Sequence, residues 1–401
     1  MIVLVSNIGT TSFKFKLFDM SKNELVLAEG AADRIGQPPP GNSAWSMVPL
    51  VGPVAGKKVS GTGDFANHAA AIELLLHELM KTGVISAIGD VEAIGFKAVH
   101  GGPISGAVKV DERVLQVMTE FSDVTPLHNP PYIAAMKAFA GTLPHVPQVA
   151  AFETGFHATI PLKRQVYAIP HEWTEKLGIR RYGFHGASHR YIATRMKEIA
   201  PNVRKIINCH LGGSCSINAI EDGKSVANSF GMTTQTGIPH AGRVGDFDAF
   251  AMMKLLKQGV DLDTIWKKLG KEGGLLGMCG CQDMRDVETK AAAGDARSQL
   301  ALDVFVEACR HYVGAYLAVL NGADAITFTG GIGQNGSAIR AAILAHMEYA
   351  GIVLDAEKNK STRGNVEARL DGTGSRVQIW MLPTNEELIV ARQTVAVLTG
   401  K

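Results

Sequence analysis

Near the start of the chain Phe13, Phe15 and Leu17 alternate with Lys14 and Lys16, the period-two pattern of a half-buried strand. An apolar strand over 2–6 precedes it through the small-residue turn Asn7-Ile8-Gly9-Thr10-Thr11, and Ser21-Lys22-Asn23 turns into a third strand over 25–28. The chain thus opens as a three-stranded meander. Residues 35–63, rich in Gly, Pro and Ser, predict loop with short strands. A helix follows over 66–81, with Ile72, Leu74, Leu75 and Leu79 to one side. Asn129-Pro130 predicts a helix start with Asn129 as N-cap, stopping near Gly141 and Pro144. Further on, strands are expected over 148–152, 205–211, 325–329 and 377–382, and helices over 187–199, 246–258, 296–320, 337–349 and 386–398.

The opening pattern has an echo. His210-Leu211-Gly212-Gly213-Ser214-Cys215 also runs from a strand through a small-residue turn into a strand (216–220), followed by the turn Glu221-Asp222-Gly223-Lys224. One distant duplication fits this better than a short repeat. A length of 401 residues suits two domains.

Three glycine or hydroxyl turns, Asn7–Ser12, Leu211–Ser214 and Thr329-Gly330-Gly331-Ile332-Gly333-Gln334-Asn335, end apolar strands. Such turns let several backbone N–H groups converge on a phosphate, although any one of them also serves as a plain tight turn. None matches GxxxxGK[ST], which excludes a P-loop, and the acidic residue expected for a dinucleotide ribose is missing. A net charge of +2 aims no strong field at nucleic acid or an anionic membrane. No apolar run is long enough to span a bilayer, and Met1–Val5 reads as a buried strand rather than a signal peptide. Five scattered cysteines predict free thiols in a reducing, cytoplasmic setting.

Polar groups recur just after predicted strands or at loop–helix junctions, in the segments around Lys97, His128, Glu153, His185, Arg243, Asp283 and Glu386. Singly, a loop histidine often stabilises a turn, Arg285 between two aspartates often pairs locally, and Glu386 often caps a helix. Spacing alone leaves these readings open. The joint pattern resembles the acetate kinase family, within the superfamily of sugar kinases, Hsp70 and actin. Asn7…Gly9…Ser12…Lys14, Pro126-Leu127-His128-Asn129-Pro130-Pro131, Arg181-Tyr182-Gly183-Phe184-His185-Gly186, Gly274-Leu275-Leu276-Gly277, Asp283-Met284-Arg285-Asp286, Phe328-Thr329-Gly330-Gly331-Ile332-Gly333-Gln334-Asn335 and Thr384-Asn385-Glu386-Glu387 carry the resemblance.

The resemblance implies an α/β fold of two duplicated ribonuclease H-like (actin-like ATPase) domains around a central cleft. Residues 1–150 plus 384–401 would form the acid and phosphoryl side, and 151–383 the nucleotide-binding domain. It implies ATP-dependent phosphorylation of a short-chain carboxylate, acetate foremost, by direct in-line transfer. Mg²⁺ or Mn²⁺ would assist, with ATP/ADP as co-substrate, in a homodimer that binds neither nucleic acid nor membrane. Arg243 and His185 would stabilise the phosphoryl oxygens, Lys97 would hold the carboxylate or phosphoryl, and His128 would assist. Asn7, Glu153 and Glu386 would position the metal. Val99, Leu127, Phe184 and Thr234 would line the acid's pocket. Ser12, Lys14, His210, Gly212, Asp283, Arg285, Gly330, Gly331, Gly333 and Asn335 would hold the nucleotide. Lys97 stands where the family has arginine, Glu153 where it has aspartate and Thr234 where it has proline. A longer acid reaching a shorter base suggests that Glu153 and Lys97 compensate for each other. The Thr234 change leaves propionate, butyrate or another small acid as alternatives, and the changes together leave a catalytically altered nucleotide-binding paralogue as another.

Overall fold

A computed structural model of the chain describes residues 1–38, 41–126 and 128–401. It divides into two compact units, Met1–Gly155 with Asn385–Lys401, and Phe156–Thr384.

In the first unit β1 (Ile2–Ile8), β2 (Ser12–Asp19), β3 (Leu25–Asp33), β4 (Ser43–Pro49) and β5 (Val59–Gly63) form the opening meander. It is two strands longer than the alternation at 13–17 alone shows. β6 (Ala93–Ala98), β7 (Ala107–Lys109) and β8 (Gln148–Phe152) complete an eight-stranded sheet in the order β5-β4-β3-β2-β1-β6-β8-β7. β1, β6 and β8 run parallel, with Val3 opposite Ala93 and Ile94 opposite Gln148. Phe13, Phe15 and Leu17 point into the main core with Ile72, Leu75, Leu79 and Phe139 of the helices His68–Lys81 and Asn129–Thr142. The opposite face takes the C-terminal helix Glu386–Thr399, where Val390 and Ala391 pack on Val3, Val5 and Ala93. Gly95 in β6 permits that approach, since a Cβ there would lie 2.4 Å from Thr394 Oγ1.

The second unit holds β9 (Lys205–Leu211), β10 (Cys215–Glu221), β11 (Lys224–Asn228), β12 (Ala325–Thr329), β13 (Ala368–Arg369) and β14 (Gln378–Met381), in the order β11-β10-β9-β12-β14-β13. The run β3-β2-β1-β6-β8 in one sheet and β11-β10-β9-β12-β14 in the other is one plan. Each is an antiparallel meander continued by two parallel strands, and each last parallel strand carries a short antiparallel edge strand. The echo in the sequence is this duplication.

Three local expectations are corrected. Asn129 is not an N-cap: it is buried as the first helical residue, and its Nδ2 donates to the carbonyls of His100 (3.0 Å) and Met118 (2.9 Å). The helix expected over 246–258 begins only at Ala251, because Asp246 accepts from Gly237 N–H and Asp248 accepts from Phe250 N–H, which hold the first residues outside it; a further helix, Leu262–Gly270, starts at the Asp261 cap. The one expected over 337–349 stops at Leu344, and His346 then takes φ +59° before a single 3₁₀ turn.

Candidate functional site

Both units place polar groups at the carboxyl ends of their parallel strands, where open α/β sheets bind ligands. In the first unit these are Asn7 at the end of β1, Lys97 near the end of β6 and Glu153 just past β8. The Glu153 N–H bonds the Ala98 carbonyl at 2.8 Å, which seats it beside the end of β6. The C-terminal helix adds Glu386 in its first turn. Asn385 caps that helix by accepting from Leu388 N–H, so Glu386 is not the cap, and its carboxylate hydrogen-bonds Lys97 Nζ. Burial alone would pull the Lys97 ammonium down, but Glu386 first and Glu153 second hold it far above its ordinary range, firmly charged. The direct partner of Lys97 is therefore Glu386, which corrects the expected Lys97–Glu153 pairing; Glu153 acts on it through charge alone.

Tyr132 joins this cluster. Its hydroxyl accepts from Ile8 N–H at 3.1 Å and donates to Asn7 Oδ1 at 3.3 Å. Burial pushes the phenol up to about 12 against the opposing Lys97 charge, so it stays a donor at neutral pH. Sequence reading passed over it, although a buried aromatic with a polar tip one turn into the Asn129 helix was the available signal. Ser12 and Lys14 lie on the same hairpin, with Lys14 exposed and opposite Asn7. His128 precedes the Asn129 helix and Val99 follows β6, part-buried. Leu127 lies outside the described residues.

In the second unit one sheet face is polar. Thr327, Asn208, Asn218 and Asn228 form a row across β12, β9, β10 and β11, and Thr329, His210 and Ser216 form the next. The helix Gly186–Ile199 begins over these rows with Ser188 and His189, and His185 stands at its N-terminus with φ +58°. That left-handed conformation is uncommon for a residue with a side chain. It is held from behind: His157 Nε2 donates to the Phe184 carbonyl at 2.8 Å, and Gly183 leaves no room for a Cβ, which would meet the His157 ring at 2.8 Å. The His185 ring lies 4.2 Å from that of His210 and 5.2 Å from Phe230, against which Phe184 packs edge-on.

Burial pulls His157 down to about 4. The folded ring thus resists protonation where the unfolded ring, near 6.5, accepts it. Its contribution is complete above about pH 6.5 and is lost as the pH falls toward 4, a change of about 3 kcal/mol. Unfolding midpoints measured across that window should fall less steeply in His157→Gln than in the wild type.

Arg243 sits on a loop wired to the rest of the site. Ala241 N–H bonds the Gly213 carbonyl, and Cys215 N–H bonds His240 Nδ1 at 2.9 Å. Leu275 and Leu276 N–H bond the carbonyls of His240 and Ala241. The Gly-Leu-Leu-Gly motif is explained here: a Cβ on Gly274, at φ +57°, would lie 2.0 Å from the His240 oxygen and 2.5 Å from that of Arg243. Gly274→Ala should cost about 2–3 kcal/mol by strain and displacement of the loop. A denaturant titration run beside turnover should show the activity falling further than the stability.

Arg243 NH1 donates to the Thr234 carbonyl at 2.7 Å, and among the described residues no carboxylate pairs with it. Burial lowers the guanidinium to about 10, still protonated at neutral pH. Arg340 offers the contrast. It is fully buried, yet its donors are spent on the oxygens of Gly333, Gln334, Asn359 and Thr362. Arg340 staples the turn after β12; Arg243 keeps donors for a ligand. The two glycine turns of this unit touch: a Cβ on Gly330 would lie 2.5 Å from the Leu211 oxygen, and one on Gly212 would lie 3.9 Å from Gly331 N. Asn335 closes the turn by donating to the Gly331 carbonyl at 2.8 Å, with Gly333 inside it. Asp283 and Arg285 pair with each other at the exposed start of the helix Met284–Ala292.

Two sheets on one duplicated plan, each with its polar groups at the ends of parallel strands, define the actin-like ATPase class of fold. The chain belongs to the Acetokinase family, whose model matches residues 2–392. It is 41% identical over 408 residues to an acetate kinase of Carboxydothermus hydrogenoformans, covering 100% of both chains. Among solved structures it is similar to the acetate kinase of Porphyromonas gingivalis (35% identity, 99% of each chain, TM-score 0.89). It is equally similar to a propionate kinase of Francisella tularensis (33% identity, 99% of each chain, TM-score 0.90).

Proposed function

We propose that the protein transfers the γ-phosphoryl group of ATP to a small carboxylate, acetate first, giving an acyl phosphate and ADP in a reversible reaction. The observation that carries this reading is Arg243: a part-buried cation without a carboxylate partner among the described residues, tied to the glycine turns. Membership of the Acetokinase family supports it. Phosphoryl transfer asks for alignment and charge neutralisation more than covalent help. Arg243 and His185 neutralise the phosphoryl oxygens, and the turns at Gly212, Gly330, Gly331 and Gly333 with His210 and Asn335 cradle the nucleotide phosphates. Asp283 and Arg285 hold the adenosine end, and Ser12 and Lys14 assist at the phosphates. Lys97 orients the carboxylate, with His128 assisting.

The oxygen donors of Asn7, Glu153 and Glu386 suit Mg²⁺ or Mn²⁺. Such a cation is commonly held by one or two carboxylates together with water and phosphate, and Glu153 and Glu386 would supply the carboxylates. When bound, the metal supplies charge neutralisation at the β- and γ-phosphates. Among the described residues no helix is long and apolar enough to cross a membrane. We further infer a cytoplasmic setting, in keeping with the free cysteines, and a homodimer, as the family resemblance implies.

Thr234 beside Arg243, together with the similarity to a propionate kinase, favours propionate as the second substrate. A hydroxamate assay over formate, acetate, propionate and butyrate with Mg-ATP should rank acetate or propionate highest by kcat/KM. Tight ATP binding with no acyl phosphate from any acid would instead identify a paralogue without catalysis.

A further inference from the structure

We infer that Asn208, His189 and Ser216 are positioning residues that fix the tautomer of His185, through a one-way hydrogen-bond chain that keeps the ring proton on Nε2. The inference deepens the reading above, in which His185 meets the transferring phosphoryl group.

The chain starts in β12. Thr327 Oγ1 donates to Asn208 Oδ1 at 2.7 Å. An amide oxygen only accepts and an amide nitrogen only donates, so Asn208 Nδ2, 2.8 Å from His189 Nδ1, donates to it. His189 is fully buried and neutral, its ionisation suppressed first by burial and then by His157 and His210. A neutral imidazole that accepts at Nδ1 carries its proton on Nε2. That nitrogen lies 2.9 Å from Ser216 Oγ and donates to it. The single Ser216 proton then goes to His185 Nδ1, 2.8 Å away. His185 accepts at Nδ1, so its own proton stays on Nε2. Thr327, Asn208, His189 and Ser216 are all 0% exposed, so bulk water does not offer the chain a competing donor.

The chemistry gives the polarity its purpose. Phosphoryl oxygens only accept hydrogen bonds, so a bare Nε2 would repel them where Nε2–H attracts them. Turning the Asn208 amide over would reverse every proton along the chain and leave His185 with the wrong face. The polar residues of β9, β10 and β12 thus have a function beyond filling a sheet face.

The test reads nitrogen protonation directly. In full-length protein carrying ¹⁵N-labelled histidine, long-range ¹H–¹⁵N spectra should show His185 with bare Nδ1 and protonated Nε2, the signal being assigned by its loss in His185→Asn. Asn208→Asp has nearly the same shape but only accepts. It should draw the proton of His189 to Nδ1, convert His185 to the Nδ1–H form and lower kcat about tenfold or more, with KM for ATP little changed. A wild-type His185 protonated at Nδ1, or an Asn208→Asp spectrum in which His185 is unchanged, would overturn the inference. The wild-type spectrum alone decides the tautomer, so a variant that fails to fold leaves the test standing. Normal turnover in His185→Ala would instead strike the phosphoryl-transfer reading and leave the tautomer assignment intact.

Discussion

Arg243→Ala is expected to lower kcat by about 10²–10³-fold, the cost of removing one preorganised donor from a developing charge. The reason lies in what Arg243 does not do. It donates to the Thr234 carbonyl, and no carboxylate among the described residues neutralises it. A cation withdrawn from water without a counter-ion is unfavourable until an anion arrives, so its binding free energy is spent on the ligand rather than on the fold. The same substitution should leave stability nearly unchanged or raise it. Arg340→Met should do the opposite, because the carbonyls of Gly333, Gln334, Asn359 and Thr362 lose their donor. Steady-state kinetics set beside a thermal melt of each variant separate the two arginines.

Lys97→Met is expected to destabilise the protein by about 3 kcal/mol, the low end for breaking a buried ion pair because this one retains some exposure. Removing the ammonium takes from Glu386 the donor it bonds and from Glu153 a charge that offsets its own. A double-mutant cycle identifies the partner. Coupling between Lys97 and Glu386 should exceed that between Lys97 and Glu153, because the first pair is bonded and the second interacts only through charge. Turnover should fall as well, since Lys97 is the cation assigned to the carboxylate.

The strands were legible because their periodicity is set by the pleat: 205–211, 325–329 and the face made by Phe13, Phe15 and Leu17 stand where the pattern placed them. The duplication was legible because the same turn chemistry recurs at the end of the first strand of each meander. Asn129 misled because Asn before Pro is a common helix cap, whereas here tertiary carbonyls claim its amide. The partner of Lys97 was hidden by distance, since Glu386 lies 289 residues away and reaches it only because Gly95 lets the last helix settle on β6. His189, Ser216 and Asn208 look ordinary one at a time. Their signal is the alternation in each strand, Asn208 with His210, Ser216 with Asn218 and Thr327 with Thr329, which paints one buried sheet face polar. Arg340 gave no signal, because its partners are mostly backbone oxygens, of Gly333, Gln334, Asn359 and Thr362.

Incubating the protein with Mg-ATP and acetate labelled with ¹⁸O in its carboxylate, then cleaving the product with hydroxylamine, traces the oxygen that attacked phosphorus. Direct attack by the carboxylate predicts an acyl phosphate whose released phosphate carries one ¹⁸O, visible as an isotope shift in ³¹P NMR. ADP formed alongside phosphate that carries no ¹⁸O would contradict that chemistry.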